Sequence, residues 1–370
     1  MKRRDFLKTA AVGSVVAGGA LAGCNRQADD AGAAPAIQTQ KTFRWKMVTT
    51  WPKNFPGLGT GAEFLAKAIT EMSGGRLEVK VYGAGELVPA FEIFDAVSRG
   101  AAQMGHGSAY YWKGKNPALQ FFSTMPFGMT ADEMNGWLYH GGGMALWEEA
   151  YAEYGLVPMA AGNTGVQMAG WFNREIRSLD DLRGLKMRIP GLGGEVLKRA
   201  GGTPVNLPGG ELFTALQTGT IDATEWVGPY NDLAFGLYKA AKYYYYPGWH
   251  EPGTTLECFV NKAAFDALPR DLRQIVRMAA RAANLDMLSE YMARNNDALE
   301  TLVDEHHVQV RRLPDDVIGE LRRLSAEVVA EEAAKSPQAT KIYQAYRGFL
   351  DKVVRWDDIS ERTYLNVREG

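Results

Sequence analysis

Cysteine is nearly absent from this chain of 370 residues: Cys24 and Cys258 are the only two. That excludes a disulfide framework and a thiolate metal cluster. No sign of charge dominates either. With 41 basic and 43 acidic residues the formal net charge is -2, so no basic footprint for nucleic acid exists. Long apolar runs are missing too. The stretch from Ala10 to Ala22 falls short of the roughly 20 apolar residues that cross a bilayer. Enzyme signatures are missing as well: no Gly-x-Ser-x-Gly elbow, no His-Glu-x-x-His, no Gly-x-x-x-x-Gly-Lys-Ser/Thr loop. Gly191-Leu192-Gly193-Gly194 lacks the third glycine spacing of a dinucleotide fingerprint. His306-His307 lies in a polar helical run and is expected on a solvated surface.

What is present is enough apolar material for a sizeable core. Hydrophobic residues make up 46% and charged residues 23%, a globular balance over a length that suits about two domains. The N-terminus has the pattern of an export signal over residues 1–24: Lys2-Arg3-Arg4, then a short apolar stretch. The paired arginines before Phe6-Leu7-Lys8 resemble a twin-arginine signal, with a general secretory signal as the alternative. Leu21-Ala22-Gly23-Cys24 resembles a lipobox that makes Cys24 the lipidated first residue; otherwise Cys24 is an ordinary residue beside a cleavage site. Residues 25–41 read as a polar, Ala-rich tether. With Cys24 lipidated, Cys258 has no intrachain partner and reads as a small buried apolar residue.

The folded part opens with alternation at Phe43, Trp45 and Met47, a strand period. Phe64, Leu65, Ala68, Ile69 and Met72 then share one helical face. Leu77, Val79 and Val81 alternate again. This is a βαβ opening, which predicts a parallel sheet. Ser178-Leu179-Asp180-Asp181 is a capping box with Asp for Glu. Leu185, Met187 and Ile189 form one strand face, with Lys186 and Arg188 on the other. Glu195 to Ala200 reads as helix, ended by Gly201-Gly202. Residues 96–104 and 215–223 match coarsely: helix end, glycine, short strand. That suggests two similarly built lobes delivering strand ends to one cleft. From Leu272 to about Thr301 little interrupts a helix, and Pro314-Asp315-Asp316 begins another.

The stretch from Ile221 to Tyr230 is the focus of these expectations. It reads as a short strand ending in Glu225-Trp226, turned by Gly228-Pro229. Sites in α/β folds gather at strand ends, and aromatic walls with a few polar groups are their usual content. The competing reading is a capped strand with Trp226 in the core and Glu225 in solvent. Arg188, at the end of another strand, can grip a carboxylate with two parallel hydrogen bonds, or else make a surface salt bridge. Gln167 and Glu225 offer the oxygens that a hard cation prefers. Glu251 follows Trp249-His250 in an aromatic turn. Tyr243 to Trp249 walls a pocket or supplies alternating core and surface faces of one strand. Tyr110-Tyr111-Trp112 makes a similar offer from the first lobe.

At these residues the chain resembles the extracytoplasmic solute-binding proteins of tripartite ATP-independent periplasmic (TRAP) transporters, and within them the 2-oxo acid (alpha-keto acid) binding branch. The carrying segments are residues 162–168, 182–188, 222–229 and 243–249. The resemblance implies an α/β fold of two lobes with hinge strands and a long helix crossing both. Lobe I would take residues 42–163 plus about 254–295, and lobe II 164–253 plus about 296–340. It implies that Arg188 binds the substrate carboxylate. It further implies that a sodium ion, with calcium as the other candidate, sits on Gln167, Glu225, the backbone oxygen of Trp226, and Glu251. Asn163, Tyr110 and Tyr111 complete the implied substrate site. Residues 250–252 and 254–258 face the substrate's side chain and leave the exact acid open, with 2-hydroxy acids and longer oxo acids in the class.

The implied partners are a small carboxylate and the small and large integral-membrane subunits of the transporter, in the periplasm, with a lipid anchor at Cys24. The helical segment 341–370 either dimerises with a second copy or docks on its own lobe. The alternatives are an exported lipoprotein enzyme acting on a small carboxylate, which lacks a nucleophile or cofactor motif, and a carboxylate-sensing lipoprotein, which differs only in its partner.

Overall fold

The computed structural model describes residues 41–368. The signal expected over 1–24, with Arg3-Arg4 and Cys24, and most of the tether lie outside the described residues. Two mixed sheets carry the chain. The first contains β1 (Phe43–Thr49), β2 (Leu77–Tyr82), β3 (Met104–Gly107), β4 (Leu156–Asn163) and β10 (Thr255–Asn261), in the order β2-β1-β3-β10-β4. The second contains β5 (Gly170–Phe172), β6 (Lys186–Arg188), β7 (Thr203–Val205), β8 (Ala223–Thr224), β9 (Tyr243–Tyr246) and β11 (Gln309–Arg312), in the order β11-β9-β5-β8-β6-β7. The helices are α1 (Leu58–Met72), α2 (Ile93–Ser98), α3 (Ala131–His140), α4 (Gly143–Ala152), α5 (Gly191–Arg199), α6 (Leu212–Gln217), α7 (Pro229–Phe235), α8 (Lys262–Asp266), α9 (Arg270–Glu300), α10 (Asp315–Ala333), α11 (Pro337–Ile359) and α12 (Glu361–Arg368).

The opening unit is parallel as its period predicts: Phe43 pairs with Leu77 and Trp45 with Val79. The sheets as wholes are not. β10 runs antiparallel to both β3 and β4, and β5 runs antiparallel to both β8 and β9. The cause is the path of the chain. It leaves the first sheet along β4, enters the second through β5, and returns along β10. Outgoing and returning strands lie side by side and so must oppose one another.

The exposed side of α1 corrects the expected face. The helix begins at Leu58, after Gly57 at φ 67, and buries Leu58, Ala62, Leu65, Ala66 and Ile69. Phe64 and Met72 point to solvent. Small residues let a neighbouring helix approach: a Cβ added at Gly61 would stand 2.3 Å from the Met287 side chain of α9. That 31-residue helix is about 46 Å long at 1.5 Å per residue. It packs on α1 and β4 of the first sheet and on α7 of the second.

The two matching segments are real counterparts. α2 ends before Gly100 at φ 79 and feeds β3; α6 ends before Gly219 at φ 73 and feeds β8. Only glycine adopts that conformation without strain. Each segment delivers an interior strand of its sheet. Past these strands stand Tyr110-Tyr111-Trp112 and Glu225-Trp226.

Other local expectations hold with adjustments. Ser178 and Asp181 form the capping box, on a short 3-10 turn. The helix ended by Gly201-Gly202 starts earlier, at Gly191. Cys258 is fully buried, and burial pushes its thiol pKa up, the state of a small apolar residue. His306-His307 sits just past the helical run, with His306 stacked on Tyr238 at 3.9 Å and His307 at φ 53. The tyrosine run does not alternate. Tyr244 and Tyr245 are both buried because β9 lies between β11 and β5 with both faces covered.

Candidate functional site

β6 and β8 are neighbours, with Arg188 paired to Thr224. Their ends therefore bring Arg188 beside Glu225. The backbone repeats the relation, since Glu225 N–H donates to the Arg188 carbonyl at 3.2 Å. After Trp226 the chain turns at Gly228 and Pro229 starts α7, which fixes the direction of the two site residues.

Arg188 is 1% exposed and Glu225 fully buried. The guanidinium donates through Nη1 to Glu225 Oε1 at 2.5 Å and to the Glu225 carbonyl at 3.2 Å. Nε donates to the Leu207 carbonyl and Nη2 to the Tyr111 hydroxyl. The Trp226 ring lies beneath, 4.9 Å from the guanidinium carbon. Burial opposes the arginine's charge, but Glu225 and the tyrosines outweigh it, and its pKa lies above the usual arginine value. The cation is therefore permanent and fixed in place.

A second cluster hangs on the chain crossings. Gln167 N–H donates to the Glu251 carbonyl at 3.1 Å, and Thr164 N–H to the Thr254 carbonyl at 3.1 Å. Gln167 Nε2 donates to Glu251 Oε2 at 2.8 Å, and Thr254 donates to the same oxygen at 2.6 Å. Burial first, then the charge of Glu225, pushes the Glu251 carboxyl well above the carboxylate range. Among the described residues, Gln167 Oε1 and Glu225 Oε2 are buried without a hydrogen-bond partner. Orphaned buried acceptors are costly, and oxygens of this kind are what a hard cation takes. Glu225, His250 and Glu251 also place potential ligand atoms within 4.8 Å of one another. The donor set fits a cation.

The aromatic wall comes from both sheets. Tyr110 and Tyr111 meet edge to face at 4.7 Å, and Trp51 meets Trp226 edge to face at 6.1 Å. Trp51 is itself pinned. Its Nε1–H donates to His106 Nδ1 at 2.8 Å, while His106 Nε2 faces the Ala161 carbonyl at 3.3 Å. Burial lowers the His106 pKa to about 4, so the ring is neutral at physiological pH and the tautomer that accepts from Trp51 is kept. A small cavity between these groups is lined by Trp51, Leu58, Tyr111, Gln167, Trp226 and Leu256, among others.

The structure thus brings Arg188, Gln167, Glu225, Trp226, Glu251, Tyr110 and Tyr111 together. Asn163 stands behind them. Its Oδ1 accepts from Gly165 N–H at 2.8 Å and its Nδ2 reaches Gly253 and Thr255, so its side chain ties the two crossings to each other. The tyrosine run builds the second sheet's core instead of the wall: Tyr244 stacks on Trp171, and the Tyr245 hydroxyl accepts from Ile176 N–H. Trp51, Leu58, Thr164 and Val227 were not expected at the cavity. Trp51 had a usable signal, since it follows β1 directly, at a strand end of the same sheet as Tyr110.

Comparison with known proteins agrees in kind. The family profile for "bacterial extracellular solute-binding protein, family 7" matches residues 47–336. A monocarboxylate 2-oxoacid-binding periplasmic protein of Nostoc is 42% identical over 366 residues, which is 99% of this chain and 98% of that protein. Two solved TRAP periplasmic solute-binding proteins superpose with TM-scores of 0.86. The one from Colwellia psychrerythraea, with bound calcium and pyruvate, is 46% identical over 88% of this chain and 99% of its own. The one from Pseudoalteromonas atlantica, with bound sodium and pyruvate, is 45% identical over the same shares. A third, from Bordetella bronchiseptica, is described as a dimer with calcium and picolinate in one active site; it is 37% identical, with a TM-score of 0.87 over 89% of this chain and 97% of its own.

Proposed function

Because this chain belongs to the bacterial extracellular solute-binding proteins of family 7, we propose that its cleft is the receptor site for a small 2-oxo monocarboxylate such as pyruvate. The observation that carries this reading is the meeting of one buried, permanently charged arginine with two orphaned oxygens, Gln167 Oε1 and Glu225 Oε2. Arg188 and Tyr111 take the substrate carboxylate. Gln167, Glu225, the Trp226 backbone oxygen and Glu251 hold a sodium ion, or calcium in its place. The cation supplies a positive centre on which the carboxylate and 2-oxo oxygens converge. Trp51, Leu58, Trp226 and Leu256 surround the short apolar end of the acid and keep water out, which strengthens the polar contacts. No second cation stands in that apolar end among the described residues lining it, which disfavours a dicarboxylate.

The two sheets define the lobes in this reading: residues 42–163 with about 254–295, and residues 164–253 with about 296–340. The crossings tied by Asn163 act as the hinge on which they close around the ligand. The receptor then delivers the acid to the small and large membrane subunits of a TRAP transporter; it is a binding protein and performs no reaction. Residues 1–24 direct export by the twin-arginine route, and Cys24 anchors the chain to a membrane on the periplasmic side. Among the described residues no helix is long and apolar enough to cross a membrane.

The C-terminal segment 341–370 divides its contacts. α11 buries Ala339, Ile342, Tyr346 and Leu350 on its own lobe, whereas Trp356, Ile359, Tyr364 and Val367 are exposed. That apolar end seats a second copy in a homodimer, which light scattering of the purified protein tests.

Calorimetric titration with 2-oxo acids, 2-hydroxy acids and dicarboxylates, with sodium, with calcium and with neither, tests the receptor reading. Cation-dependent binding confined to monocarboxylates is expected. Binding confined to dicarboxylates or sugar acids would discard the 2-oxo acid assignment.

A further inference from the structure

The turn after β9 carries one more side chain into the cleft. His250 is 1% exposed, and neither of its ring nitrogens has a hydrogen-bond partner among the described residues. A neutral imidazole has one donor and one acceptor to satisfy, and burying both unpaired is costly. Its ring is nonetheless held firmly. Trp249 lies against it at 5.3 Å, and the backbone of α5 closes in from the other side, where a Cβ added at Gly193 would stand 3.0 Å from His250 Cβ.

The nitrogen faces a group in the same condition. His250 Nε2 stands 3.5 Å from Glu225 Oε2, which also lacks a partner. That separation is long for a hydrogen bond. It is close to the spacing of two ligands on one ion: bonds of about 2.0–2.2 Å at a tetrahedral angle put donors roughly 3.4 Å apart. Glu251 offers a third ligand atom within the same 4.8 Å cluster.

We propose that His250 Nε2 is a nitrogen ligand of the cleft cation, so that Glu225, His250 and Glu251 hold a first-row transition divalent ion as well as a hard ion. This rests on the receptor reading above and widens the set of cations its site accepts. Sodium and calcium take oxygen. An imidazole between two carboxylates suits zinc, cobalt, nickel or copper better. The acid would then be received together with whichever such ion the periplasm supplies, and the receptor would discriminate among cations by its one nitrogen donor.

The test uses purified, chelator-stripped protein with pyruvate present, wild type against His250→Gln, with circular dichroism as the check of folding. Cobalt(II) is titrated and its visible absorption followed. The expected result is affinity for cobalt about tenfold or more higher in wild type than in the variant, a changed cobalt spectrum, and calcium-supported pyruvate binding that falls far less. A variant with unchanged cobalt affinity and spectrum overturns the proposal. Pulsed electron paramagnetic resonance of copper(II)-loaded wild type supplies a reading that needs no folded variant: imidazole nitrogen coupling, displaced by excess calcium with pyruvate, is expected, and its absence overturns the proposal. If wild type binds pyruvate with calcium yet takes up no cobalt, the nitrogen ligand fails and the receptor reading stands. If it binds pyruvate with no cation at all, the receptor's metal site falls and this proposal falls with it.

Discussion

Arg188 Nη1 stands 2.5 Å from Glu225 Oε1, and neither side chain reaches solvent. Each charge is the other's main compensation. Removing one partner of a buried pair typically costs about 3–5 kcal/mol because the survivor is stranded. Arg188→Met should therefore lower the stability of the ligand-free protein by that order and abolish pyruvate binding. Arg188→Met/Glu225→Gln should recover part of the stability, since no charge is left stranded, and none of the binding. Urea unfolding and calorimetry on the same samples separate the two effects. Recovery of binding in the double variant would show that Arg188 does not hold the carboxylate.

Glu225→Gln alone tests the cation, though it also leaves the buried Arg188 charge without its partner. The amide keeps a hydrogen-bond acceptor for Arg188 but loses the charge that attracts an ion. Pyruvate affinity should fall about 10–100-fold, and what remains should no longer respond to added sodium or calcium. Calorimetric titrations with and without each salt read this directly. A variant whose affinity still rises on adding calcium would move the ion elsewhere.

Gly248 has no room for a side chain. An added Cβ would stand 2.1 Å from the Gln167 carbonyl oxygen, which is backbone and cannot swing aside. Gly248→Ala must push the turn after β9 away from the chain crossing at Gln167. The expected cost is about 1–3 kcal/mol in stability, together with weakened cation-dependent binding, because Gln167 and Glu251 are displaced relative to each other. Thermal unfolding and the same calcium titration check it. Unchanged binding would mean that the crossing adjusts without moving the site.

How far the sequence could anticipate this site follows from range. Arg188 and Glu225 were legible because each stands at the end of an expected short strand with a Gly and Pro turn behind it. The long helix α9 was legible because nothing in thirty residues interrupts it. The antiparallel directions of β5 and β10 were not, because they depend on where the chain crosses between sheets, and no local pattern encodes that. The face of α1 was misjudged by one position, since its register is set by Gly57 and by the approach of Met287, 226 residues or more from the helix residues it touches. Asn163 entered as a site residue through the family resemblance alone; the backbone groups it ties, at Gly165 and Gly253, become neighbours only after folding.

Glu257 illustrates the same limit and carries a pH prediction. It lies in the stretch expected to face the substrate's side chain, yet its carboxyl turns into the first sheet's core, held by Trp112 Nε1–H at 2.6 Å and the Tyr151 hydroxyl at 2.5 Å. Burial, against these two donors, raises its pKa to about 7, whereas an unfolded Glu titrates near 4.3. Below about pH 4 both states are protonated. Between there and about pH 7 the folded state keeps the proton that the unfolded state has lost, so stability falls as pH rises. The total is on the order of 3 kcal/mol. Glu257→Gln should match wild type at low pH and lose less on going from pH 5 to pH 8. Asp232, held by Trp171 and Tyr244 and also raised to about 7, contributes a slope of the same sign that remains in the variant. Equal slopes in urea unfolding for the two proteins would contradict the assignment to Glu257.

Lys113 and Glu195 meet at 2.8 Å across the mouth of the cleft. One follows β3 of the first sheet; the other lies on α5 beside the second. They flank a groove of about 620 Å³ that shares Tyr110 and Tyr111 with the inner cavity. Both side chains remain partly exposed, so the pair is worth only about 0–1 kcal/mol and is weakened by salt. An opened cleft would separate them, so their contact favours the closed form alone. Lys113→Met should therefore release pyruvate up to about fivefold faster, leave the association rate nearly unchanged, and abolish part of the salt dependence of release. Stopped-flow tryptophan fluorescence at two ionic strengths measures all three. An unchanged release rate would mean that closure is held by the hinge and the bound acid without help from the rim.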